Sequence, residues 1–195
     1  MRMRGKALTL SLCCAAATVA ATFAAPSAEA RPVSQGYYTE AGIGAAMFVG
    51  PHRAHSELGP AFALRAGRDL FSWLGVGLHL GTSSHEATVP APPEGEYFQL
   101  YHAGAELRLG FQTGRIGAFV DGTIGGAMIS SNILAKVAVL EPGERFALRL
   151  SAGAGLEYQL QNRHYALGIA GQWVMLPEFD NMSGVTTRAY LRYTY

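Results

Sequence analysis

From Tyr37 to the chain end, apolar and polar residues alternate with a period of two, the repeat of a β-strand whose successive side chains point to opposite faces. The clearest run is the last, Val185–Tyr195, where Ala189, Leu191, Tyr193 and Tyr195 share one parity and Arg188, Arg192 and Thr194 share the other. The pattern predicts eight strands: Tyr37–Val49, Ala61–Asp69, Leu74–Thr82, Tyr97–Phe111, Ile116–Ile129, Phe146–Gln159, His164–Met175 and Gly184–Tyr195. Their connections alternate in length. Gly50–Pro60, Ser83–Glu96, Ser130–Arg145 and Leu176–Ser183 are long, whereas Leu70–Trp73, Gln112–Arg115 and Leu160–Arg163 are tight. An even-numbered antiparallel meander gathers all the tight turns at one end and all the long ones at the other. Strands of about 11 residues at ~3.3 Å each, tilted by roughly 45°, rise about 25 Å.

Sorting by parity gives two chemically distinct faces. One carries Ala41, Ile43, Ala45, Met47, Phe62, Leu64, Leu78, Leu80, Leu107, Leu109, Val120, Ile124, Leu148, Leu150, Leu156, Leu167, Ile169 and Leu191. The other carries Glu40, Arg65, Asp69, His79, His102, Glu106, Arg108, Asp121, Thr123, Arg149, Ser151, Glu157, Gln172, Arg188 and Arg192. A water-soluble barrel would turn the first face inward. Three features predict the reverse. Aromatics stand at strand ends on the apolar parity, with Tyr37, Trp73, Phe111, Tyr158, Tyr165, Tyr193 and Tyr195 towards the tight turns and Phe62, Tyr97, Phe146 and Trp173 towards the long connections. Such paired belts suit the two interfaces of a bilayer. The charged parity is rich in glycine (Gly42, Gly44, Gly75, Gly77, Gly104, Gly153, Gly155), leaving room for long side chains in a narrow interior, and its acids and bases balance. An arginine at mid-bilayer on the lipid face costs about 2–4 kcal/mol. Several facing outward would therefore cost as much as a typical fold's stability of ~5–15 kcal/mol. The expected fold is all-β, an eight-stranded antiparallel up-and-down transmembrane barrel.

Composition agrees. The chain of 195 residues has a formal charge of +1, 24 glycines and no basic run, which argues against a nucleic-acid partner. No segment after residue 30 reads as an apolar helix long enough to cross a membrane, and a closed barrel is the other structure that satisfies every backbone group in lipid. Arg2, Arg4 and Lys6, the apolar stretch Ala7–Ala21 and the small-x-small triplet ending in Ala28 and Ala30 predict a signal peptide cleaved after Ala30, with residues 31–195 forming the barrel domain. Cys13 and Cys14 would leave with it, so the mature domain has no thiol chemistry.

The signal peptide, the eight alternating strands, the short–long connections and the terminal Tyr193-Thr194-Tyr195 resemble the small outer-membrane barrels of the OmpX and OmpA-membrane-domain type. The resemblance implies a Gram-negative outer membrane, periplasmic termini, contact with lipopolysaccharide, and insertion by the barrel assembly machinery reading Leu191, Tyr193 and Tyr195. That family usually ends in Phe, where this chain has Tyr195.

The candidate chemistry lies on the inward parity. Glu40, Arg65, Asp69, Glu106, Arg108, Asp121, Arg149, Glu157, Arg188 and Arg192 are expected to form a salt-bridged network that largely plugs the lumen. A narrow channel for small or apolar solutes is the alternative use of the same residues. His52, His55 and Glu57, with His85 and Glu86 of the next connection, lie in expected loops that do not fix a metal geometry. Ser83 and Ser84 neighbour His85, but nothing in the sequence orients that histidine for nucleophilic catalysis. No cofactor, metal site or enzymatic activity is expected. A structural or interaction role through the outer loops, with an envelope or extracellular protein as partner, is the functional expectation, ahead of a lipid-modifying enzyme.

Overall fold

The computed structural model describes residues 36–88, 96–130, 143–162 and 164–195, together with 133, 135 and 141. The expected cleavage site at Ala28 and Ala30 and parts of two long connections lie outside the described residues. Eight strands follow in order: β1 Tyr37–Val49, β2 Gly59–Phe71, β3 Leu74–Glu86, β4 Tyr97–Thr113, β5 Ile116–Ile129, β6 Phe146–Gln159, β7 Tyr165–Leu176 and β8 Met182–Thr194. Each pairs antiparallel with its chain neighbour, and β1 closes on β8, giving an up-and-down barrel. Closure leaves no free sheet edge, which is what a strand structure needs in lipid.

Register places opposite charges side by side within the wall. Glu40 stands across from Arg65 on β2 and from Arg192 on β8, and Arg108 across from Asp121. The apolar parity faces out, with Ile43 at 69% and Leu78 at 67% exposure, while the charged parity is buried. A one-residue slip would exchange these faces, so the pattern itself fixes the pairing.

Two expectations need correction. Gly50–Pro60 is not wholly irregular: Gly50–His55 form a short 3-10 helix, opened by Gly50 at φ 70° with Pro51 in its first turn. β3 continues to Glu86 instead of stopping at Thr82, so Ser83 and His85 are strand residues whose side chains point inward. Their alternation had simply continued with polar residues. At the opposite end, Gly114 at φ 63° makes the tight turn between β4 and β5.

Candidate functional site: the barrel lumen

The lumen is stacked in layers. Nearest the chain termini, Arg192 pairs with Asp69, and its guanidinium also lies 4.0 Å from the Tyr38 ring. A small cavity of about 70 Å³ opens here, with Asp69, Arg108, Glu157 and Arg192 in its lining.

Above it sits an inward aromatic layer that sorting by charge overlooked: Tyr38, Phe119 and Tyr190, all buried. Their rings occupy the spaces the glycines leave. A Cβ on Gly168 would meet the Tyr190 ring at 2.2 Å, one on Gly155 would meet Phe119 at 2.3 Å, and one on Gly77 would meet the Tyr38 hydroxyl at 2.7 Å. These three glycines therefore make room for aromatic rings, whereas Gly81 seats the His102 ring and Gly153 lies against Gln172 and Asp121. The Arg108 guanidinium stacks 3.6 Å from the centre of Phe119. Arg108 Nη2 donates to Glu157 Oε2 at 2.8 Å, and the Tyr190 hydroxyl donates to the same oxygen at 3.1 Å.

The central layer is a shared ion cluster. Arg65 pairs with Glu106, lies 3.6 Å from Glu40, and donates from Nη1 to Asp121 at 3.2 Å. Arg188 donates to Glu40 at 3.3 Å and to Asp121 at 3.4 Å, while Gln172 donates to the other Asp121 oxygen at 2.9 Å. Mutual pairing of this kind offsets the cost of taking charges out of water, and each group's removal would strand its partner. All the sequence-selected charges enter this interior, but Arg149 stands apart, with no carboxylate of the described residues within 4.0 Å.

At the long-connection end the inward parity turns apolar. Phe48, Phe98, Leu100, Ile129, Leu176 and Met182 pack with Phe179 into one buried cluster. These positions follow the charged parity by steps of two (Phe98, Leu100, His102), so the alternation contained the signal.

His85 is embedded here, between the rings of Phe48 and Phe98 at 4.9 and 5.4 Å. Contrary to expectation it is oriented: Nδ1 meets the Glu57 carbonyl at 3.2 Å and Nε2 meets Ser83 Oγ at 2.9 Å. Nδ1 donates to that carbonyl, so Nε2 accepts the serine proton. Yet Ser83 is 5% and His85 1% exposed. The pair ties the Glu57 segment into the cap and meets no open surface. On the rim, His52 Nε2 approaches the Asp180 carbonyl at 3.2 Å, fastening the 3-10 helix to the β7–β8 connection. Burial and the neighbouring His52 push His55 below the ordinary imidazole value. No group of three or more metal-ligating side chains stands together among the described residues.

The three residues expected to form an assembly signal, Leu191, Tyr193 and Tyr195, lie on the outward parity. Leu191 and Tyr195 are exposed, and Tyr193 packs 4.9 Å from both Tyr165 and Tyr195.

No family model and no curated protein matches this chain. Solved structures do. Neisserial surface protein A is similar with a TM-score of 0.61 at 14% identity, over 82% of this chain and 97% of that one. The outer-membrane protein OprG of Pseudomonas aeruginosa has a TM-score of 0.55 at 12% identity, over 83% and 96%. Ail of Yersinia pestis, solved with the heparin analogue sucrose octasulfate, has a TM-score of 0.51 at 14% identity, over 83% and 99%. Closed wall, outward apolar face and buried charge together with these neighbours identify the fold as that of the small eight-stranded outer-membrane β-barrels.

Proposed function

We propose that this is a Gram-negative outer-membrane protein with a sealed lumen and periplasmic termini, acting through its outer connections as a structural or interaction protein of the envelope. The carrying observation is the filled interior. A cross-linked ion cluster spans the middle of the lumen, and a close-packed apolar cap closes the long-connection end. An eight-stranded barrel has just enough width for side chains to fill. Ions would have to break paired charges below and desolvate above.

The charge of the outer end bears on the partner. The long connections carry Glu57, Glu86, Glu94, Glu96, Glu141, Glu144, Glu178 and Asp180 against Arg53, Lys136 and Arg145. A polyanion such as the one held by Ail meets like charge here, so the balance favours a protein ligand with a basic face. Leu191, Tyr193 and Tyr195 serve the assembly machinery in this reading: Leu191 is exposed and Tyr193 half-buried on β8, and Tyr195 is exposed just beyond its end.

Recording from the purified protein in planar bilayers tests the proposal. The wild type is expected to be electrically silent, and Phe48→Ala with Phe98→Ala, which thins the cap, to show at most brief openings. Reproducible discrete conductance from the wild type would establish the channel instead.

A further inference from the structure

The outward parity of the eight strands carries two charged residues, one near each end of the barrel. Glu86, at the outer tip of β3, is answered within the protein by the Tyr97 hydroxyl, which donates to Glu86 Oε2 at 3.2 Å. Arg68, at the tight-turn end of β2, has no such answer. It is exposed, and it stands between the outward residues Tyr37 on β1 and Val76 on β3. Its guanidinium lies 5.3 Å from the centre of the Tyr37 ring, and no carboxylate of the described residues comes within 4.0 Å. A ring face steadies a cation but offers no oxygen to a guanidinium fork. The surrounding rim supplies none either. The tight turns Leu70–Trp73, Gln112–Arg115 and Leu160–Arg163 hold Arg115 and Arg163 and no acid. The side-chain carboxylates at this end, Asp69 and Glu157, belong to the lumen, where Arg192 and Arg108 hold them.

We propose that Arg68 seats the headgroup of an anionic phospholipid at the tight-turn interface of the bilayer, with the Tyr37 ring bracing the guanidinium. The exposed aromatics Tyr37, Phe71 and Trp73 mark this height as interfacial, and the Phe71 and Trp73 rings stack at 5.7 Å beside it on the β2–β3 turn. The anions a lipid-facing arginine meets there are phosphodiesters, whose two non-bridging oxygens match the guanidinium fork. A zwitterionic headgroup fits less well, because its ammonium calls for an acid and the tight turns carry none. A headgroup with a net negative charge and no ammonium, such as phosphatidylglycerol, leaves nothing unanswered. The inference rests on the bilayer reading above and stands whether or not the lumen conducts.

Trp73, on the same hairpin as Arg68, reports the occupant, and Trp173→Phe leaves it the only tryptophan of the chain. The Trp173→Phe protein is reconstituted in mixed vesicles of phosphatidylcholine and phosphatidylglycerol, with brominated acyl chains on one lipid or the other. Quenching of Trp73 then gives the relative affinity of the two lipids for the surface beside it. Phosphatidylglycerol is expected to be preferred about fivefold, the effect of one arginine near an anionic surface. Adding Arg68→Gln is expected to bring the ratio close to one, and adding Arg115→Gln to leave it unchanged. Equal affinities before Arg68 is replaced overturn the inference. So does a preference that survives Arg68→Gln or is lost equally in Arg115→Gln, either of which assigns the selectivity to the charge of the whole rim. Absence of quenching by both brominated lipids would sink the bilayer reading itself and the inference with it, so the two failures are told apart.

Discussion

At the residue scale, the informative quantity is the coupling between buried charges. Arg192 and Asp69 form one of the most separable pairs in the lumen, since Asp69 has Arg192 as its ion-pair partner among the described residues and lies away from the Glu40–Asp121 cluster. Removing one member of a buried pair typically costs about 3–5 kcal/mol, because the other is left charged and dry, whereas replacing both can be close to neutral. The cavity beside this pair admits water from the terminal end, so the single-substitution cost belongs near the lower limit. Arg192→Met and Asp69→Leu are each expected to destabilise by about 3 kcal/mol, and the double variant by clearly less than their sum. Reversible urea unfolding in detergent or lipid, arranged as a double-mutant cycle, reads the difference. Simple additivity would mean that the two groups do not sense each other.

At the element scale, strand ends decide what is legible. β6 begins at Phe146, but its pairing with β7 begins only at Leu150 opposite Met175. The protruding edge is covered by a side chain: the Leu148 amide donates to Glu178 Oε2 at 2.8 Å. Glu178→Ala is expected to cost about 1 kcal/mol, the low side of a charge-assisted hydrogen bond because the carboxylate is exposed. It should also accelerate amide exchange at Leu148 while leaving residues paired below Leu150 unchanged. Exchange unaltered at Leu148 would assign Glu178 no part in guarding that edge. The strands themselves were readable because a two-sided wall in lipid enforces alternation over its full height, and β1, β5 and β6 keep the predicted limits. Two things were not readable. The 3-10 helix at Gly50–His55 depends on docking to Asp180, far away in sequence. The inward cap was missed because an apolar residue on the charged parity looks like noise until neighbouring strands bring Phe98, Ile129 and Leu176 together. The orientation of His85 likewise requires the Glu57 carbonyl, which only the folded chain supplies.

At the scale of the whole molecule, everything turns on which solvent meets the apolar face. The wall is the inverse of a soluble barrel: Leu78 and Ile124 are well exposed while Arg65, Arg149 and Arg188 are buried. In water such a surface would be a continuous aggregation-prone patch, and in lipid it is the matched face. The two environments predict different responses to the same substitution at different heights. Leu78 lies in the middle of β3, paired with Ala66 and Ala105, whereas Leu70 lies at the tight-turn end of β2. Both side chains are exposed. If acyl chains surround the barrel, Leu78→Arg costs about 2–4 kcal/mol and Leu70→Arg about 0–1, because an interfacial arginine reaches the headgroups. If water surrounds it, both are nearly neutral, since an exposed leucine gives up little when replaced by a charge. Unfolding free energies of the two variants, measured in the same bilayer, separate these outcomes, and equal small effects at both heights would return the barrel to water.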